Sequence, residues 1–203
     1  MKNFNLVSEP TVSLVAYTCM ISGNKDKPED LVNKAAKICY LTEGDKNLIP
    51  FLMKSGHMSP LEHISFTFLI EGMSRNASHQ LVRHRVASFT QQSFRYTKTE
   101  DVFLPDSISA DKEVLEYIDK GFELYNKKIA EGVKKEDARY LLPTASASSI
   151  YVTMNARELR HFFDLRTAKE AQKEIRDIAI KMLELVKPIA PSIFDMESGI
   201  KEK

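Results

Sequence analysis

The chain has 203 residues and 43% hydrophobic composition, which suits one globular domain spanning 1–203 with a core of useful size. Twenty-nine basic against 28 acidic side chains leave a formal charge of +1, which argues against a protein that tracks nucleic acid while leaving room for a local anion site. Met1-Lys2-Asn3-Phe4-Asn5 lacks the basic flank and apolar run of a signal peptide, no apolar stretch is long enough for a bilayer, and Cys19 and Cys39 are too few for a disulfide framework; a soluble cytoplasmic protein is expected.

Thr11–Thr18 alternates apolar and polar residues and reads as a strand. Pro28 opens a helical pattern through Leu31, Val32, Ala35, Ile38 and Cys39, since proline is tolerated in a first turn. Leu48, Phe51 and Leu52 predict a second helix that Gly56 stops. Ile64–Glu71 alternates again, with Ile64, Phe66, Phe68 and Ile70 on one face, and predicts a core strand. A helix is expected over about Ser74–Arg85, whereas Ala87–Tyr96 is polar and aromatic without clear period. Asp111–Gly132 is the strongest helix, with Val114, Leu115, Ile118, Phe122, Tyr125 and Ile129 at helical spacing. A short helix over Lys135–Leu142 stops at Pro143, and Ser148–Met154 predicts a strand. Asn155, with Glu158 three residues on, resembles a capping box opening a helix to about Leu165. Ala168–Val186 reads as a long amphipathic helix ended by Pro188 and Pro191. The pattern is that of an α+β domain with more helix than strand.

The chemistry is marked by where arginine, histidine and lysine fall. No lysine occurs from Ser55 to Thr97 or from Glu136 to Ala168, yet these windows hold eight of the nine arginines and all five histidines. Lysine is a hydrated point charge, whereas arginine presents a planar fork that holds phosphate, carboxylate or an imide edge in fixed geometry. The segregation points to a preorganised anion site; arginines in buried or interface ion pairs are the alternative. There is no P-loop, no G-x-G-x-x-G, no H-E-x-x-H and no C-x-x-C, and only seven glycines, so side chains rather than a glycine-rich loop must hold phosphate. A metal site is not expected, because His79 and His84 are five residues apart and do not share a helix face. Cys39 reads as a small buried hydrophobe rather than a nucleophile.

The densest segment is Arg83-His84-Arg85-Val86-Ala87-Ser88-Phe89-Thr90-Gln91-Gln92-Ser93-Phe94-Arg95, with the spacing R-H-R-x-x-S-x-x-x-x-S-x-R. Here the sequence resembles the flavin-dependent thymidylate synthases, whose signature R-H-R-x-x-S-x-N-x-x-S-x-R it matches except at Thr90, where the usual residue is Asn. Gly56–Ile64 resembles the G-H-x-[ST]-P-[FL]-E-H segment of that family. Asn155-Ala156-Arg157 with Arg166, and Arg139 before Leu141-Leu142-Pro143, resemble its later motifs.

The resemblance implies a small antiparallel sheet with a predominantly helical remainder, and a homotetramer with FAD bound where subunits meet. The implied activity is reductive methylation of dUMP to dTMP, with 5,10-methylenetetrahydrofolate as carbon donor and NADPH as reductant. Carried over by position, Ser59, Arg83, His84, Arg85, Gln91, Asn155, Arg157 and His161 would contact FAD. Gln80, Arg83, Gln91, Gln92, Ser93, Arg95 and Arg166 would hold dUMP, with Arg139 reaching in from another subunit. His57 and Glu62 would lie near the flavin.

Carbon 5 of uracil is a poor nucleophile, so adding a carbon there requires stabilisation of negative charge on the imide. A guanidinium does this at every working pH, which makes Arg166 the catalytic candidate; an ion pair with Asp164 or Glu170 is the alternative. No side chain donates hydride, so a cofactor has to. Ser93 reads as a phosphate donor in preference to a nucleophile, which would need an adjacent base. His79 reads as solvated or core, and Phe66, Phe68 and Phe122 as core. The rivals are a nucleotide- or flavin-binding module without turnover, to which only Thr90 points, and an RNA-binding protein, which the near-neutral charge disfavours.

Overall fold

The computed structural model describes residues 3–21, 27–40 and 47–195. In chain order the elements are β1 (Asn5–Val7), β2 (Thr11–Tyr17), α1 (Pro28–Tyr40), α2 (Ile49–Ser55), β3 (Ser65–Ser74), α3 (Arg75–Leu81), β4 (Ala87–Gln91), β5 (Asp101–Phe103), α4 (Lys112–Ala130), α5 (Lys135–Ala138), β6 (Ala147–Asn155), α6 (Ala156–Arg166), α7 (Lys173–Val186) and α8 (Pro191–Phe194). The fold is α+β, with a small antiparallel sheet in the order β2-β3-β6-β4. The direction at its centre is visible in two contacts: Ala156 N donates to Ile64 O at 2.9 Å, and Thr67 Oγ1 meets Thr153 Oγ1 at 2.9 Å, so the number rises on one strand as it falls on the other. Among the described residues no helix is long and apolar enough to cross a membrane.

The chain packs as two compact units. The first takes the described residues of Met1–Thr11 with Ile70–Arg83 and Phe89–Tyr151. Its core gathers Phe4, Val102, Leu104, Ile118 and Phe122, and Phe4 and Phe122 have ring centroids 6.0 Å apart. The helical period of α4 supplies Ile118 and Phe122, and Asp111 caps it by accepting from Glu113 N and Val114 N. A parallel pair, β1 with β5, lies beside this core outside the antiparallel sheet. Gly72 adopts φ +75°, and a Cβ there would come within 2.9 Å of Val7 Cγ1.

The second unit takes Val12–Leu69, His84–Ser88 and the described residues of Val152–Lys203. Its core is aromatic: Phe66 meets Phe194 edge-on at 5.4 Å, Phe194 meets Phe163 at 5.9 Å, and Phe163 meets Phe162 at 5.7 Å. Phe66, Phe68 and Phe122 are fully buried, as their alternation or helical spacing predicts. Half-buried Arg160 donates to Ile193 O and so links α6 to the segment of α8; partial burial lowers its pKa.

Four elements depart from the sequence reading. The helix expected over Ser74–Arg85 ends at Leu81, so Arg83 sits in the turn after it and His84 and Arg85 in irregular chain before β4. Of residues 82–85 only His84 is buried, and it is held by side chains far along the chain, which local spacing cannot encode. Ala87–Gln91 forms β4 with alternating exposure although no period was legible. The helix read from Lys135 to Leu142 tightens into a 3₁₀ turn at Arg139–Leu141. The last long helix begins at Lys173, not Ala168, because Gln172 caps it by accepting from Ile175 N and Arg176 satisfies Lys169 O at 2.8 Å.

Candidate active site

In the first unit, α3, the end of β4 and the turn after α5 surround a cavity of about 680 Å³. Arg75, His79, Gln91, Gln92, Ser93 and Arg139 line it. Ser74 starts α3 by accepting from Ala77 N at 3.1 Å, which places Arg75 in the first turn, where its own N–H donates to Ser146 O at 3.1 Å. The Arg75 guanidinium lies 5.4 Å from the centroid of Phe94. Arg139 Nε is held by Glu136 O at 3.1 Å. Burial pushes the Arg75 pKa down, and the facing charge of Arg139 pushes it further. Two guanidiniums that repel each other across one cavity are both relieved by an anion between them.

The amides beside them are oriented. Gln91 Nε2 donates to Ser148 Oγ at 2.9 Å, Gln92 N donates to Ser149 O at 2.9 Å, and Ser149 N donates to Gln92 Oε1 at 3.3 Å. Within β4, Ala87, Phe89 and Gln91 are half-buried while Ser88 and Thr90 are exposed, so Thr90 faces away from the side on which Gln91 meets the cavity. Of the residues expected to hold dUMP, four therefore come together here: Gln91, Gln92, Ser93 and Arg139. Within one chain Arg139 lines the same cavity as the other three. Gln80, Arg83 and Arg95 do not line the cavity. Gln80 is half-buried on α3, Arg83 is exposed with Nε donating to His79 O at 3.3 Å, and Arg95 pairs with Glu136 at 2.7 Å and lies over Tyr96.

A second constellation lies in the second unit. His84 is buried, with Nδ1 3.1 Å from Glu158 Oε1 and Nε2 3.1 Å from Arg166 Nε. A guanidinium has no acceptor, so Nε2 accepts and the ring proton sits on Nδ1, donating to Glu158. Burial is the main cause that lowers the His84 pKa; the hydrogen bond that His84 donates to Glu158 opposes it, and Arg166 and His161 add to it. His161 and Phe162 pack around the ring at 6.0 and 4.9 Å. With both ring nitrogens engaged, His84 is no base for Ser93. Arg166 thus partners His84.

A smaller cavity of about 300 Å³ in the second unit is lined by His57, Ser59 and Arg157 together with Cys39. Cys39 is exposed, which corrects the expectation of a buried thiol: on α1 it falls on the side that meets this cavity, not the core. Arg157 pairs with Glu62 at 2.5 Å, both partly exposed. Asn155 caps α6 by accepting from Glu158 N at 2.9 Å, while the Glu158 side chain turns to His84, so the reciprocal half of the capping box is absent. Arg85 and His161 are exposed. Arg75, His79 and Glu158 are the residues the motif did not name. Arg75 and His79 lie in a lysine-free window, Arg75 directly after a serine cap, which is the available signal; Glu158 is legible only as the helix-cap partner of Asn155.

Residues 13–192 match the family described as thymidylate synthase complementing protein. The chain is 46% identical to the flavin-dependent thymidylate synthase of Geobacter sulfurreducens over 82% of its own length and 81% of that protein. It is 44% identical to the flavin-dependent thymidylate synthase of Pyrococcus abyssi over 85% and 77%. This chain belongs to the flavin-dependent thymidylate synthases. Its fold is similar to that of the UMP/dUMP methylase PolB of Streptomyces cacaoi bound with 5-Br dUMP, at TM-score 0.81 and 28% identity, covering 95% of this chain and 96% of that one. The thymidylate synthase signature is split between the two units: Arg83 and Phe89–Arg95 fall in the first, His84–Ser88 in the second.

Proposed function

We propose that the chain converts dUMP to dTMP by reductive methylation, using 5,10-methylenetetrahydrofolate as carbon donor, FAD as its flavin and NADPH as reductant. The observation that carries this reading is the cavity in which Arg75 and Arg139 face each other beside the oriented amides of Gln91 and Gln92 and the hydroxyl of Ser93. Two cations suit a phosphate dianion, and amides suit the sugar and base edge. Gln80, Arg83 and Arg95 join the dUMP site by the motif, and Arg166 holds the uracil imide edge, stabilising charge there as carbon 5 attacks. Loss of the carbon 5 proton completes the substitution.

The donor set fits a flavin dinucleotide: Arg85, Arg157 and His161 are exposed cations or donors, and Ser59 and His57 line a cavity with Arg157. By the motif Arg83, His84, Gln91 and Asn155 complete that set, with Glu62 holding Arg157. Reduced FAD, when bound, supplies the hydride that turns the added carbon into a methyl group. The protein acts as a cytoplasmic homotetramer, residues 1–203 serve as one synthase domain, and neither nucleic acid nor membrane is a partner.

The test is tritium release from dUMP labelled at carbon 5, with methylenetetrahydrofolate and NADPH, with and without FAD. Release that needs both NADPH and FAD, with dTMP formed, is the expected result. A protein that holds FAD and dUMP yet releases no tritium is a binding module, and the reading fails.

A further inference from the structure

We infer that Glu158 is a positioning residue that orients the Arg166 guanidinium through the ring of His84. The inference rests on the reading of Arg166 as the group at the uracil imide.

Three contacts within the second unit carry it. Glu158 Oε1 takes the Nδ1 proton of His84 at 3.1 Å, which leaves Nε2 bare. Arg166 Nε donates to that bare nitrogen at 3.1 Å. The Glu158 backbone is itself fixed, because its N–H is capped by Asn155 Oδ1 at 2.9 Å. His84 is 5% exposed and wedged edge-on against Phe162, so its ring is held in place by packing as well as by hydrogen bonds. Glu158 and Arg166 lie at the two ends of α6, and His84 bridges them.

The order of donors matters. If the ring proton moved to Nε2, two N–H groups would confront each other and Arg166 would lose this hold. A carboxylate at Nδ1 selects the tautomer that leaves Nε2 free to accept, much as a carboxylate behind a metal-bound histidine fixes its ring. A guanidinium that recognises an imide works through aligned N–H groups, so fixing Nε limits how the remaining N–H groups can point. Glu158 touches neither substrate nor cofactor in this account; its effect on the reaction passes through His84.

The test is a double-mutant cycle on dUMP binding to the FAD-loaded protein. Glu158→Ala should weaken dUMP binding by about tenfold to a hundredfold, the range for misaligned binding groups. Glu158→Gln, whose amide oxygen still accepts from Nδ1, should restore most of it. In an Arg166→Ala background Glu158→Ala should change dUMP affinity little, because the group it positions is gone. Additive effects in the cycle, or Gln behaving like Ala, would overturn the inference. The ¹⁵N shifts of His84 give a readout independent of substrate: a bare Nε2 and protonated Nδ1 in the wild type, and loss of that pattern in Glu158→Ala. A wild-type ring protonated at Nε2 and bare at Nδ1 would also overturn it. Normal dUMP binding and turnover by Arg166→Ala would instead refute the role of Arg166 itself, a separate failure.

Discussion

Arg75 and Arg139 line one cavity, and the charge of Arg139 adds to burial in holding the Arg75 pKa below its ordinary value. Such a pair costs stability in the free protein and is relieved by an anion. Arg75 is held apart from carboxylates by its position in the first turn of α3 and by its contact with Phe94; among the described residues its guanidinium makes no ion pair.

Arg75→Ala should therefore raise the Kd for dUMP by about tenfold or more, the scale of one lost charge-assisted contact. Arg75→Lys should recover part of the affinity, since the charge remains but the planar fork does not. The discriminating measurement compares dUMP with deoxyuridine by calorimetry. A loss confined to dUMP supports phosphate recognition; an equal loss for both ligands would place Arg75 elsewhere in the binding site.

The pH dependence of stability should carry the signature of His84. Burial, the largest cause, depresses its folded pKa below the ordinary 6.5, against the pull of Glu158. The fold favours the neutral ring, so the stability it contributes is present above pH 6.5 and is lost as pH falls from there toward the folded pKa. Protonation would also set a ring N–H against Arg166. Thermal unfolding followed between about pH 7.5 and 5.5 should show a fall in Tm that is smaller in His84→Gln, which does not titrate there. Equal slopes in the two proteins would mean the neutral ring is not what the fold selects.

Much of this architecture was legible where one physical requirement dominates a segment. Ile64, Phe66, Phe68 and Ile70 alternate because one face of β3 is buried, and Ile118, Phe122 and Tyr125 recur at helical spacing because α4 presents one face to a core. Asn5–Val7 and Asp101–Phe103 are three residues each, too short to show a period, and they pair across most of a hundred positions. Arginine segregation mixes two causes. Arg75 and Arg139 face a cavity, whereas half-buried Arg160 is held on a backbone carbonyl and Arg95 is paired with Glu136. Residue type alone does not separate a guanidinium that holds a ligand from one that holds the fold. Glu158 shows the same limit: its backbone obeys the cap that Asn155 predicts, while its side chain serves His84.

Asn155 has two candidate employments, and they separate experimentally. Its side chain accepts from Glu158 N and caps α6, while the motif assigns it to FAD. Asn155→Ala should cost about 1 kcal/mol of stability through the lost cap, and Asn155→Ser should recover most of that. Denaturant unfolding measures the cap, and flavin absorbance after purification measures cofactor retention. If Asn155→Ser is stable and keeps its flavin, capping is the residue's whole task; a stable protein that loses flavin assigns the amide to FAD.

Gly72 lies near the end of β3, two residues before the Ser74 cap of α3, at φ +75°. An alanine there meets two costs: the left-handed conformation, about 1–2 kcal/mol for an L side chain, and a Cβ 2.9 Å from Val7 Cγ1. Val7 is β-branched and fixed in the β1–β5 pair, so its methyl has little room to yield. Gly72→Ala should lower Tm clearly, and Val7→Ala in the same protein should return part of the loss by removing the clash while leaving the φ penalty. No recovery in the double variant would mean the strain is all backbone.

Thr90 is the one departure from the family signature, and its place on β4 says how much the departure matters. The strand alternates, so the exposed side of Ser88 and Thr90 is opposite the side on which Gln91 meets the cavity with Arg75 and Arg139. An asparagine at this position would gain an amide on the exposed side and no contact with the cavity of its own unit. Thr90→Asn should accordingly leave the Kd for dUMP within about twofold of wild type, a surface-sized effect, and β propensity should make it slightly less stable. Equilibrium binding of dUMP and a paired melting curve test both halves. A large gain in dUMP affinity or in turnover would show that position 90 reaches the substrate in the assembled enzyme, and that threonine there sets the strength of binding.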